Sequence, residues 1–306
     1  MHTWGRFVCR GNTAVSKEFK TIEEQMEILR SRGLLIPDED QAGEFLLHNN
    51  YYRISGYSLT LRKNDRFSEG TTFQNIIDIY NFDHQLRHIL LTYIETIEVS
   101  FKSVYAYEFT KIYGPAGYLN GSNFTNAGQY SSTLKKTEKQ KQLRLPHEAY
   151  LKHFVNDVKE PIPLWAYVDL MTIADISLLY SISREEVQYP IAARYHLKSN
   201  KGRKILGQFM HSMTILRNLC AHGSRLYNRL FEQKPSLNRK ELNLLIRKEN
   251  GTVDNAHLYG FVMIMKRLLP ADDFVTLKSD IMLLTERYPF VHMKYYGFRD
   301  DWKNVL

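Results

Sequence analysis

The sequence predicts an all-α fold, and three observations predict it. Apolar residues recur at helical spacing through almost the whole chain. The stretch from Phe73 to about Tyr113 is apolar on most faces, as a helix buried at the centre of a bundle must be. Only the segment between Asn50 and Phe67 is rich enough in aromatic and β-branched residues to suggest strand.

The elements come in order. Thr21-Ile22-Glu23-Glu24 has capping-box spacing, so a first helix begins there and runs to about Ser31. Gly33 and Pro37 end it, and a second helix fits Asp38 to His48. Asn50 to Leu61 is aromatic and broken by Gly56, and Asn64-Asp65 makes a turn before Arg66-Phe67. A short β-hairpin near 51–68 and an irregular aromatic loop both fit. Thr72 then caps the long helix. At 100° per residue its Asp83, Arg87, Glu98 and Lys102 share one stripe, with Glu95 beside it. Charges on a buried helix are costly unless paired. Glu95 and Glu98 therefore read either as supporting acids of a site or as ion-pair partners of Arg87 and Lys102. Gly114 to Ser132 reads as a loop, and Lys135, Lys136, Lys139, Lys141 and Arg144 as a solvated helix or an RNA-facing arm. Pro161 and Pro163 mark a boundary. Helices then fit Trp165 to Ile182, Glu185 to Tyr195, Lys201 to about His222, Ala256 to Leu269 and Asp272 to Arg287. No repeat or linker splits the chain. We read an N-terminal extension over 1–19, a helical domain over 20–230, and a C-terminal helical extension over 231–306 packed on the same domain.

Composition narrows the function. The chain has 306 residues, 43% of them hydrophobic, enough to bury a core. Cys9 and Cys220 alone cannot make a disulfide framework, which fits a reducing cytosol. Residues 1–20 lack the apolar run of a signal peptide, and no run is long enough to span a membrane, so a cytoplasmic location is expected and the two Asn-x-Ser/Thr sites at Asn120 and Asn123 are not read as glycosylated. A pI near 9.2 points to a polyanionic partner.

That charge is concentrated. Val187 to Phe231 contains no Asp or Glu but carries Arg194, Lys198, Lys201, Arg203, Lys204, Arg217, Arg225 and Arg229. These eight cations equal the surplus of the whole chain, 41 − 33 = 8. Among them lies Arg217-Asn218-Leu219-Cys220-Ala221-His222, followed by Gly223 and Ser224. A guanidinium and an imidazole in a cationic setting suit cleavage of a phosphodiester. In RNA the 2′-hydroxyl is a built-in nucleophile, so the protein need only move protons and hold charge. His222 can take or give the proton, and Arg217 can hold the phosphoryl oxygens bidentately. In an ideal helix the two residues are separated by roughly 140° and about 7.5 Å. Gly223 as the residue that ends the helix could let His222 turn back. Alternatively, two copies could share a composite site.

Other candidates are weaker. His84 and His88 have zinc-binding spacing without an evident third ligand. Arg53 among Tyr51, Tyr52 and Tyr57 could stack bases or pack that aromatic segment. No phosphate-binding glycine loop and no Cys/His zinc pattern is present.

Arg217 to His222 fits the R-x4–6-H signature of the HEPN superfamily. The chain further resembles the Abi family of bacterial abortive-infection proteins (the AbiD/AbiF-like group) through blocks that occur in the right order. These are Glu24 to Leu29 with Arg32-Gly33-Leu34, Asn50 to Tyr57, Phe67 to Phe73, Phe82 to Arg87, Ile94 to Val99, Pro163-Leu164-Trp165, and Arg217 to His222 with Arg225 to Arg229. The resemblance implies a HEPN-like helical bundle with extra helices, phage defence, and toxicity restrained by a partner that in some related systems is a small non-coding RNA. It implies that Arg217 and His222 carry a metal-independent endoribonuclease activity with no cofactor, in a homodimer, and that Asn218 occupies the polar position often found after the arginine. The alternative within the same resemblance is a protein that senses or sequesters RNA without cutting it.

Overall fold

The structure, a computed structural model, describes residues 18–306. Most of the expected N-terminal extension, with Cys9, lies outside the described residues. The architecture is all-α, with one very small antiparallel sheet. The described residues divide into two compact units, 18–76 and 77–306.

In the first unit, α1 (Ile22–Ser31) opens with the expected capping box: the Glu24 N–H donates to Thr21 Oγ1 at 3.2 Å and the Thr21 N–H donates to Glu24 Oε2 at 2.8 Å. Asp38 caps α2 (Glu39–Asn49). The next segment departs from the sequence reading. Tyr51–Tyr57 is a helix, α3, rather than strand or loop. Asn50 explains it: its backbone swings to φ 62, ending α2, and its side chain accepts the Tyr52 N–H at 2.8 Å, starting α3. The buried pair Ile54 and Tyr57 is spaced by a helical turn, a pattern too short to stand out among so many aromatics. The hairpin survives only as β1 (Arg62–Lys63) and β2 (Arg66–Phe67). Asn64 and Asp65 join them, both at positive φ, as the tight turn of a two-residue hairpin requires.

The second unit is organised around α4 (Phe73–Tyr113). Phe82, Leu86, Leu90, Ile94 and Phe101 on this helix are fully buried. Aromatic partners meet it along its length: Tyr288 and Tyr296 at Phe82, Tyr180 and Tyr195 at Phe101, and Phe124 at Phe109. The region read as loop to Ser132 already turns helical at α5 (Ala127–Arg144), because Asn126 caps it by accepting the Gln129 N–H. A short α6 (Ala149–Lys152) comes next.

Trp165 to Ile182 is not one helix. It breaks into α7 (Leu164–Tyr167), a 3₁₀ turn and α8 (Ile173–Ile182). A second capping box, Thr172 with Asp175, restarts the helix at a position where apolar periodicity alone runs on. Then come α9 (Glu185–Arg194) and α10 (Asn200–Ala221), and α10 packs on α8 and α9. The remainder, α11 (Arg239–Leu242), α12 (Leu258–Leu268), α13 (Ala271–Arg287) and α14 (Trp302–Val305), belongs to the same compact unit. Among the described residues, no helix is long and apolar enough to cross a membrane.

The Leu90 side chain is fully buried on α4, so Leu90→Ala should destabilise the protein by about 2–5 kcal/mol. Urea unfolding checks this; a loss under about 1 kcal/mol would contradict α4 as the core helix.

Candidate nucleic-acid interface

The site is built on α10. Ser199 caps its start by accepting the Gly202 N–H at 3.1 Å. Gly202 is needed there, since a Cβ would lie 2.3 Å from the Leu197 carbonyl oxygen. Leu206, Phe209, Met210, Met213, Leu216 and Cys220 form the inward face and are all buried in the chain's own core. Burial pushes the Cys220 thiol up to about 12, with the charges of Arg87 and Asp83 acting in opposite directions.

The far end of α10 is closed by a Schellman motif. Gly223 adopts φ 62, its N–H donates to the Cys220 carbonyl at 3.0 Å, and the Ser224 N–H donates to the Leu219 carbonyl at 2.8 Å. The helix therefore ends at Gly223, as its sequence position suggests. It does not turn His222 back, however. The His222 N–H still donates to the Asn218 carbonyl at 3.0 Å. The chain keeps its helical path through His222, and the offset of roughly 140° from Arg217 persists. Arg217 is half-buried, while Asn218 and His222 are exposed. Neither the Arg217 nor the His222 side chain has a hydrogen-bond or ion-pair partner among the described residues.

Asp83 holds the segment that leaves the helix. This carboxylate is fully buried on α4 and pairs with Arg87, itself 2% exposed. It accepts the Leu226 N–H at 3.2 Å, the Tyr227 N–H at 2.8 Å and the Tyr296 hydroxyl at 3.0 Å. The Asn228 N–H adds a bond to the Tyr295 carbonyl. The segment carrying Arg225 and Arg229 is thus pinned between α4 and the C-terminal region. Asp83 and Arg87 serve here as its anchor. Tyr296 has no local sequence signal for this role, lying more than two hundred residues from Asp83.

The remaining sequence-predicted cations divide into two groups. Some are committed to carboxylates. Arg194 holds Glu108 at 2.6 Å and lies over the Tyr107 ring, Arg203 pairs with Glu185, and Lys136 on α5 holds Asp175 at 2.8 Å. Lys135, Lys198, Lys201 and Lys204 are exposed without a carboxylate partner among the described residues. Arg225 donates to the Tyr227 carbonyl of its own loop. Arg229 is half-buried beside the Phe231 ring. Burial lowers its pKa, and the neighbouring Arg225 lowers it further, against Glu232 and Asp83. Glu98 pairs with Lys102 at 2.8 Å, and Glu95 is exposed. Arg53 is half-buried on α3 of the first unit. The His84 and His88 rings do face each other, Nε2 to Nε2 at 3.2 Å, but no third His, Cys, Asp or Glu joins them among the described residues.

Residues 44–228 match the family model described as Abi-like protein, more than half of the chain. The chain belongs to the Abi-like family. The matched segment takes in Asp83, Arg87 and the whole of α10 with its closing motif. Membership in the Abi-like family points to abortive infection, a form of phage defence. No curated protein and no solved structure shows a significant match.

Two outcomes are expected. Asp83→Ala leaves the buried Arg87 charge and two backbone N–H groups without their acceptor, which should cost about 3–5 kcal/mol in urea unfolding. A loss below about 1 kcal/mol would remove Asp83 from its anchoring role. The raised pKa of Cys220 should make it inert to iodoacetamide at pH 8 in the folded protein and reactive after denaturation. Peptide mass mapping checks this, and rapid native labelling would contradict it.

Proposed function

We propose that this Abi-like protein is a metal-independent endoribonuclease of abortive infection, with Arg217 and His222 as its reactive groups. The observation that carries the reading is that both side chains lack a partner among the described residues, in a stretch without a carboxylate, at a helix end that Asp83 holds in place. A cation that had evolved for structure would be expected to resemble Arg194 or Arg203, which hold carboxylates.

The chemistry balances without a cofactor. Neutral imidazole takes the 2′-hydroxyl proton, and O2′ attacks phosphorus. The P–O5′ bond breaks, and an imidazolium returns a proton to the departing oxygen. Arg217 stabilises the charge that builds on the non-bridging oxygens. The products are a 2′,3′-cyclic phosphate and a 5′-hydroxyl. The helical offset between the two residues favours a site shared by two copies, each supplying one imidazole, as expected of a HEPN-type dimer. In a single copy the same offset favours the second reading, an RNA binder that does not cut. A restraining partner, an RNA or a protein, would act by covering this face.

Arg217→Ala and His222→Ala should each lower RNA cleavage by about a hundredfold or more, with unchanged thermal unfolding, cyclic phosphate ends in the wild-type products, and no effect of EDTA. Mixing the two variants should not restore activity, because a mixed dimer keeps only one of the two imidazoles that the composite site needs. Full activity in both variants would end the assignment. Stable complexes with intact RNA would favour the binder.

A further inference from the structure

The exposed face of α10 carries a track that extends from His222 well beyond the groups the proposed reaction uses. At 100° per residue, Lys204, Gln208, His211, Asn218 and His222 lie within about 40° of one line along the helix. All five are exposed. A cavity of about 580 Å³ opens beside the N-terminal half of this track, between α8 and α10. Arg203, Lys204, Gln208, His211, Ser177 and Ser181 give it its polar lining, and Ala174 and Leu178 are apolar. None of its lining residues is a carboxylate.

Several of these donors are uncommitted. Lys204 and His211 have no partner among the described residues. Arg203 gives its terminal nitrogens to Glu185 and to Gln188 Oε1, but its Nε–H is buried with no acceptor. A buried N–H left without an acceptor costs about 1–3 kcal/mol. The volume falls in the range of small-molecule sites, roughly 300–1,000 Å³, which is more room than a bare ion needs. A second cavity, of about 570 Å³, shares His211 and runs by Ile215 and Leu219 to Arg229, toward the end of α10 that bears His222.

We infer that the cavity between α8 and α10 binds one nucleotide of a single-stranded RNA, its phosphate held by Lys204 and His211 and its base against the apolar wall. The strand continues along the exposed face of α10 to His222. The inference rests on the proposed function in taking RNA as the ligand, but it concerns binding and does not require cleavage. Lys204 and His222 are 18 positions apart, about 27 Å of helix, so the bound strand is several nucleotides long. A free nucleotide offers the same phosphate chemistry, and strand length separates the two sources.

Gly207 provides the means to test it. It lines the cavity, it is not at positive φ, and an added Cβ would meet only the Tyr180 ring at 3.7 Å, an ordinary contact. Gly207→Met should therefore fold and fill the cavity. The probe is a fluorescein-labelled 12-nucleotide 2′-O-methyl RNA, which lacks the nucleophile and stays intact, read by anisotropy with the full chain. We expect Gly207→Met and Lys204→Gln each to raise Kd about tenfold, and Lys204→Gln to lower the salt dependence by about one ion. AMP and a dinucleotide should compete at least about a hundredfold more weakly than the 12-nucleotide strand. The inference is overturned if the wild type does not bind the strand, if either Gly207→Met or Lys204→Gln stays within about twofold of it, or if AMP competes as well as the strand. Should Gly207→Met lose its thermal transition, His211→Ala takes its place under the same criteria. Cleavage of unmodified RNA is measured separately. Its absence, with binding as expected, would defeat the nuclease proposal and leave this inference standing.

Discussion

Asp83 holds together three parts of the chain that sequence keeps far apart. A carboxylate in the interior must have its charge met, because an isolated buried ion is many kcal/mol less stable than in water. Arg87, one turn along α4, meets the charge, but it cannot satisfy every lone pair. The N–H groups of Leu226 and Tyr227 and the hydroxyl of Tyr296 also donate to it. The requirement to satisfy this one group therefore dictates where the segment after α10 runs and which C-terminal residues cover it.

That constraint matters for the proposed chemistry because it acts just beyond the segment that carries Arg217 and His222. The Schellman motif at Gly223 stops α10, and the Asp83 bonds three and four residues later take up the chain before it can wander. His222 is left on the rim of the helix with its ring in solvent, while Cys220, two residues earlier, is sealed in the core. Both the fold and the proposed site depend on the same few hydrogen bonds. Strain introduced at Asp83 would reach Arg225 and Arg229 directly through the backbone they share with Leu226 and Tyr227.

The basic surplus is less free than its sequence suggests. Glu108 and Glu185, both outside the acid-free stretch, reach back to Arg194 and Arg203. Within the acid-free stretch, the cations without carboxylate partners among the described residues are lysines near the start of α10 and the arginines around its end. A polyanion lying on this protein would thus meet two positive regions joined by one helix face. That is a more restricted geometry than a uniformly basic surface, and it suits a strand laid along α10.

The sequence by itself determined the helical class, the bounds of α4 and α10 to within a residue, the capping box at Thr21 and the stop at Gly223. Each depends on local rules: periodicity over many turns, a hydroxyl three residues before a carboxylate, a residue able to take positive φ. It did not reveal that Tyr51–Tyr57 is helical, since seven residues hold too few turns for periodicity to outweigh aromatic content. Nor did it show the break before α8, where one short cap interrupts a continuous apolar pattern. Among site residues, Arg217 and His222 were legible as a spaced pair, and His211 could have been found by stepping along the helix from Lys204 to His222. The role of Tyr296, the pairing of Arg194 with Glu108 and the cavity between α8 and α10 were decided only by tertiary structure. Hydrogen bonds and ion pairs across long separations depend on which faces meet when the core is buried, and no local rule encodes that meeting.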